Sequence, residues 1–200
     1  LQIQEVKTLR EPVRLAEGFD GGALDALALD RGWQALARFG KKLRGFEAGR
    51  VRAVATSAVR EASNARLFLA HAERHLGFAI DVISGQEEAH LVYAGVAHRT
   101  PGTECRRLVV DIGGGSTELI LGRGDQPLVT ESIAIGSGTF GARYFQGGAI
   151  SAEALIEAER VATLQFERIA GRYRKLGWNQ AIGSSGTARM LAKVLKANGL

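Results

Sequence analysis

One cysteine, three prolines and no long apolar run set the first limits on this chain of 200 residues. A lone Cys105 excludes a disulfide framework, so a reducing cytoplasm is the expected compartment. Few prolines beside a hydrophobic content of 46% argue for an ordered soluble protein and against a low-complexity one. No apolar stretch approaches the ~20 residues needed to span a bilayer, so no membrane span is expected. Basic residues are not interleaved with aromatic ones as in a single-strand binder, which removes nucleic acid as an expected partner. There is no charged-then-apolar secretory leader, and the chain opens at Leu1 without a methionine. It reads as a piece of a longer protein.

The net charge is +5, with an isoelectric point near 9.7. A basic balance favours anionic partners, but the charges are scattered. Arg99, Arg106 and Arg107 come nearest to a cluster, and a solvated surface explains most of the rest.

The most informative segment is 108–119. An apolar run delivers Asp111 into Gly113, Gly114 and Gly115, and Ser116, Thr117 and Glu118 follow. Apolar residues resume at Leu119, Ile120 and Leu121, so the glycines join two strands. The common glycine-rich phosphate loops open a helix instead, with different spacing. A two-residue turn at Gly114 and Gly115 would pair Gly113 with Ser116, Ile112 with Thr117 and Asp111 with Glu118. Facing carboxylates repel. A divalent cation, or a water it holds, would resolve the conflict, and the glycine amides could cradle an oxyanion. Ser116 and Thr117 could add hydroxyl donors. A polar hairpin without a ligand is the plainer alternative, against the cost of an aspartate closing an apolar strand.

Coarse periodicity gives a strand at 3–9, an amphipathic helix at 23–44 carrying Ala26, Leu29, Trp33, Leu36 and Leu43, and a strand at 51–55 that ends in a small-residue loop, 56–60. A helix at 64–76, a strand at 79–83 and a helix from Gly85 to about His98 follow. The best linker is 99–105. Beyond it come strands near 107–112, 116–122 and 128–135, helices near 138–145 and 152–175, a strand at 179–182, a loop at 183–187 and a last helix. The stripe of the long helix is Leu155, Ala158, Ala162, Phe166 and Ile169, with an acidic start and a basic end. The halves thus look like one unit used twice. The first copy lacks its opening hairpin, which should carry its own Asp-Gly-rich turn upstream of Leu1.

Ser84 and Glu87 form a capping box at a helix start. Glu88 lies about 100° further round. It is either a surface glutamate or, if that face lines a cleft, a general base for a water. Loop 183–187 precedes a helix, where amides can bind phosphate; capping by Ser184 or Ser185 is the even alternative. Arg60, in the matching position of the first half, could clamp phosphate or be an ordinary surface arginine. His71 and His75 share a helix face, but Glu73 is misplaced for a metalloprotease motif, so they read as solvated. Cys105 has no partner that would make it a nucleophile.

Arg60, the run from Ser84 to Ala89, the run from Val110 to Leu119, Gly177-Trp178-Asn179 and the loop at 183–187 together closely resemble the exopolyphosphatase / guanosine-pentaphosphate phosphatase (Ppx/GppA) family. The match is in order and covers nearly the whole chain. The resemblance implies an α/β, duplicated ribonuclease-H-like fold of the actin, heat-shock-chaperone and sugar-kinase superfamily, truncated at both ends, with the site between domains. Residues 1–98 would form the first domain, lacking its opening hairpin, and 99–200 the second, incomplete at its C-terminus.

It also implies Glu88 as catalytic base, Asp111 and Glu118 as holders of Mg2+ or another divalent cation, and Arg60, Gly113, Gly114, Gly115 and Ser116 as phosphate binders. Ser185, Gly186 and Thr187 would add to the phosphate site. The expected activity is exopolyphosphatase, acting on inorganic polyphosphate. Guanosine pentaphosphate is the neighbouring substrate; Gly115, where that branch often carries alanine, tilts the choice slightly toward polyphosphate. An ATP-using member of the fold and a non-catalytic polyphosphate or alarmone sensor are the other readings. The stretch from Ser132 to Gly136 lacks arginines that some members carry, so chain-length preference stays open, as does oligomeric state, a homodimer included.

Overall fold

The structure is a computed structural model that describes residues 7–20, 22–100 and 104–199. Most of the strand expected at 3–9 and part of the linker at 99–105 lie outside the described residues. Strand β1 (Phe19–Asp20) pairs antiparallel with β2 (Ala23–Leu24), both too short to show as periodicity.

Helix α1 (Ala26–Leu43) starts where the Asp25 carboxylate accepts a hydrogen bond from the Ala28 amide, and ends on Lys41 and Lys42. Both ends suit the helix dipole. Its buried face is Ala28, Leu29, Gly32 and Ala35, while Ala26, expected in the stripe, is exposed. It lies against α3 (Ala65–Leu76) so closely that a Cβ at Gly40 would stand 2.5 Å from the His75 carbonyl oxygen. Trp33 Nε1 donates to the Phe68 carbonyl at 3.1 Å, and its ring stacks on His71 at 4.7 Å. His71 is therefore a packing residue and not a solvated one; His75 is exposed.

Strands β3 (Ala53–Ala55) and β4 (Ile80–Val82) pair in parallel. Between β3 and α3 the expected small-residue loop is instead a short helix, α2 (Ser57–Arg60). The Val59 and Arg60 amides close onto the Thr56 carbonyl, and Ser57 and Val59 are buried, which winds the segment into a turn of helix.

Helix α4 (Gly85–Arg99) follows, then the main sheet in the order β7 (Gln126–Ile133), β6 (Thr117–Arg123), β5 (Arg106–Ile112), β8 (Gln180–Ser184). The first three are antiparallel neighbours and β8 runs parallel to β5. Helices α5 (Ser137–Tyr144), α6 (Ala152–Leu176) and α7 (Ser185–Ala197) complete the described chain.

Alternation along β5 and β6 serves both faces of this sheet. Val109 and Ile120 meet Ala89 and Tyr93 of α4, while Leu108 and Leu121 meet Tyr173 of α6. Leu155, expected in the α6 stripe, is 51% exposed, and the α6 residues packed on the sheet are Ile169, Tyr173 and Leu176. Helix α4, counted with the first half in the sequence, thus buries its apolar face on the sheet of the second. The architecture is the α/β, duplicated ribonuclease-H-like fold expected.

Candidate active site

Strand β5 turns into β6 through the glycines with Asp111 opposite Glu118 and Ile112 opposite Thr117, and the Gly113 amide donates to the Ser116 carbonyl at 2.9 Å. The start of α5 holds this turn from behind. The Gly113 carbonyl accepts from the Ser137 amide at 2.9 Å, and the Gly114 carbonyl from the Gly138 and Thr139 amides at 2.9 and 3.0 Å. Gly136 permits the approach, since a Cβ there would lie 2.4 Å from the Gly114 carbonyl. With the carbonyls tied back, the Gly114 and Gly115 amides have no protein acceptor among the described residues. That is the condition for an anion cradle.

Asp111 and Glu118 lie one step beyond Val109 and Ile120 on the same sheet face, so they sit beneath the first turn of α4. The Ser84–Glu87 capping box fixes that turn, and Glu88 follows it. Arg60 Nη1 donates to the Ile83 carbonyl at 2.8 Å and lies 3.5 Å from Glu88 Oε2, both side chains being largely buried. Glu118 is 1% exposed. Burial, first, pushes its carboxyl above the usual range, the Ser116 and Ser132 hydroxyls oppose that shift, and the Glu88 and Asp111 charges add to it. The carboxylates of Glu88 and Asp111 are therefore both within electrostatic reach of Glu118.

Ser116 is also buried, and its hydroxyl is a partner of Glu118. Ser185 takes a left-handed φ of 73° and donates from Oγ to the Ile112 carbonyl at 2.6 Å. Neither Ser184 nor Ser185 caps α7, so the capping alternative for this loop does not hold. Thr187 reaches Ser137 Oγ at 3.3 Å, which sets the start of α7 beside the start of α5; Gly186, between them, is exposed.

A polar cleft of about 350 Å³ is lined by Arg60, Ser84, Gly85, Ser116, Glu131 and Ser132, among others; of the candidate residues, Arg60 and Ser116 line it. A separate apolar cavity of about 250 Å³ under α1 contains none of the candidate residues. Among the described residues no three His, Cys, Asp or Glu side chains form a metal-holding group. A dedicated all-protein cage does not fit. One or two carboxylates completed by water and phosphate oxygens do, and that is the habit of Mg2+.

Two contributors escape a reading of the sequence. Ser57 abuts Gly115 from the other half. Ser132 faces Glu118 because of a register shift at Leu121 and Gly122, for which a glycine inside an apolar strand is the available signal.

A ribonuclease-H-like α/β fold carrying a carboxylate-flanked glycine hairpin defines the class of this protein. Residues 1–200 match the Ppx/GppA phosphatase family, and the chain belongs to it. A Haemophilus influenzae protein named "Putative exopolyphosphatase" is 42% identical over 197 residues, 98% of this chain and 61% of that one. The crystal structure of an exopolyphosphatase from Cytophaga hutchinsonii matches 89% of this chain and 57% of its own, with a TM-score of 0.79 and 27% identity. The Aquifex aeolicus Ppx/GppA family member matches 88% and 56%, with a TM-score of 0.62 and 28% identity. The chain thus spans about three-fifths of the length of these relatives. No helix among the described residues is long and apolar enough to cross a membrane.

Proposed function

We propose that this protein is a cytoplasmic exopolyphosphatase that removes terminal phosphate from inorganic polyphosphate by attack of water. The observation that carries the reading is the cross-strand pair of Asp111 and Glu118, with the Glu88 charge in reach of Glu118, beside a glycine turn whose Gly114 and Gly115 amides have no protein acceptor among the described residues. A polyanion needs cationic and N–H partners, and its hydrolysis needs a base but no protein nucleophile.

Glu88 is the base. It takes a proton from a water whose oxygen bonds to the terminal phosphorus as the bridging P–O bond breaks, and the shortened chain leaves with that electron pair. Arg60 binds the terminal phosphate, and its present pairing with Glu88 is long enough at 3.5 Å to yield to a phosphate oxygen. The amides of Gly114 and Gly115 receive phosphate oxygens, with Gly186 and Thr187 contributing from the start of α7; the Gly113 amide is already given to the Ser116 carbonyl, so Gly113 shapes the turn and does not bind phosphate through its N–H. Ser116 and Ser185 act mainly through Glu118 and Ile112, the groups their hydroxyls already contact. Asp111 and Glu118 would hold Mg2+ or another divalent ion, which neutralises charge developing on the phosphoryl group.

Polyphosphate is favoured over guanosine pentaphosphate by Gly115, and among the described residues the polar cleft offers no aromatic side chain on which a guanine could stack. Phosphate release from each substrate by the whole protein tests this. Glu88→Gln should lower release from polyphosphate by about 10²–10⁴-fold with substrate binding retained. An undiminished rate in that variant removes Glu88 as base, and faster release from guanosine pentaphosphate reverses the substrate choice.

A further inference from the structure

We propose that Ser132 is a positioning residue whose hydroxyl holds the Glu118 carboxylate in the orientation in which it receives the divalent ion. The inference rests on the metal role proposed for Glu118 and goes beyond it by naming what fixes that ligand.

The sheet register places four polar residues in one row: Ser184 opposite Asp111, Asp111 opposite Glu118, and Glu118 opposite Ser132. Cross-strand partners share a face, so all four point toward the side covered by α4. The two serines bracket the two carboxylates, but only one makes contact. Ser132 Oγ donates to Glu118 Oε1 at 2.9 Å. Asp111 receives no hydrogen bond from a protein donor among the described residues, so it can adapt to an incoming ion while Glu118 cannot.

Ser132 is in turn held from above. Gly85, the first residue of α4, lies over it so closely that a Cβ at 85 would stand 2.4 Å from Ser132 Oγ and 2.5 Å from its Cβ. The hydroxyl therefore has little freedom to turn away from Glu118, and the start of the helix bearing Glu88 rests on the same serine.

The pairing is set by a single irregularity. At its turn, β6 meets β7 with Arg123 opposite Gln126 and Gly122 opposite Pro127. Continued without interruption, that register would bring Glu131 opposite Glu118, and two buried-side carboxylates would collide. The shift between Leu121 and Gly122 inserts one residue, so Val129 pairs with Leu121 and Ser132 takes the place across from Glu118. A donor stands where an unshifted strand would have set a negative charge.

A hydrogen-bond partner of a metal ligand is worth about 10–100-fold in metal affinity when removed. Ser132→Ala in the whole protein should weaken Mg2+ binding by about that factor in a calorimetric titration without polyphosphate. The Mg2+ concentration for half-maximal phosphate release should rise in parallel, with the melting temperature of the metal-free protein held. Ser132→Cys, equal in shape but a weaker donor, should fall between. An Mg2+ affinity unchanged in Ser132→Ala overturns the role of Ser132 while leaving Glu118 as a ligand. A wild-type protein that binds no Mg2+ overturns the metal reading itself, and this proposal with it. A Ser132→Ala protein that loses affinity only together with its melting transition, while Ser132→Cys binds as the wild type does, marks a packing role and also overturns the proposal.

Discussion

Gly115 meets Ser57 across the two halves of the chain with no room for a side chain: a Cβ at 115 would lie 2.4 Å from Ser57 Oγ and 3.1 Å from its Cβ. Ser57 is buried at 4% exposure and donates to Glu61 Oε1 at 3.0 Å, so it cannot rotate freely. Gly115→Ala should turn Ser57 off its rotamer, break that hydrogen bond and lift the glycine turn, at a cost of about 1–3 kcal/mol. The KM for polyphosphate should rise. Ser57→Ala in the same protein should restore much of both losses, since contacting residues couple by about 0.5–3 kcal/mol. Urea denaturation of the four proteins measures the coupling, and strictly additive losses would show that the contact carries none.

Gly122 lies under the Tyr93 ring, where a Cβ would approach Tyr93 Cζ to 2.2 Å. Tyr93 is fully buried and donates to the Gly124 carbonyl at 3.1 Å, which pins α4 to the sheet near the register shift. Gly122→Ala must move the ring, and with it the helix that carries Glu88. A stability loss of about 1–3 kcal/mol is expected, as for other overpacked cores. A fall in kcat larger than any change in KM should accompany it. A stable variant with normal kcat would show that the seat of Tyr93 does not position Glu88.

The hairpin from Asp111 to Glu118 was legible because two things coincide there, an apolar period of two and three adjacent glycines. Together they leave one short turn and one register. The start of α4 was legible because the Ser84–Glu87 capping box announces it, whereas α1 starts at Ala26 behind its Asp25 cap, three residues after the expected 23. What escaped depends on tertiary pairing. The turn of helix at Ser57 forms where Val59 is buried, against the look of a small-residue loop. The role of Ser132 follows from one inserted residue, Leu128, two positions after β7 begins to pair at Gln126, and counting along the chain points to Glu131 instead. The packing of α4 onto the second sheet is equally hidden, because its apolar positions Ala89 and Tyr93 do not say which sheet receives them.

Glu118 should prove costly to the fold that keeps it. Burial raises its carboxyl above the ordinary range, so its favourable contribution to stability is full in acid and lost as pH rises through the folded value. At neutral pH, without divalent ion, Glu118→Gln should therefore melt at a higher temperature than the wild type. The gap should close on acidification, as the wild-type carboxyl protonates. Added Mg2+ should stabilise the wild type alone, because only the ionised side chain draws the ion. A lower melting temperature for the variant at neutral pH would show that Ser116 and Ser132 satisfy the charge fully.

Glu87 behaves in the opposite sense. Its carboxylate accepts from the Ser84 amide and from Ser84 Oγ, both at 2.9 Å, and these bonds hold its carboxyl below the usual range. A depressed value contributes stability that is present above the unfolded pKa of about 4.3 and is lost as pH falls through the folded value. Comparing wild type with Glu87→Ala isolates this group, since the other carboxyls titrate alike in both proteins. The wild type should melt higher at pH 7, and the difference should narrow steadily once the pH drops below about 4. Phosphate release at neutral pH should also weaken in Glu87→Ala, because the capping box fixes the turn from which Glu88 projects. A melting difference that stays constant from neutral pH into strong acid would mean that the ionised form of Glu87 does not secure the start of α4.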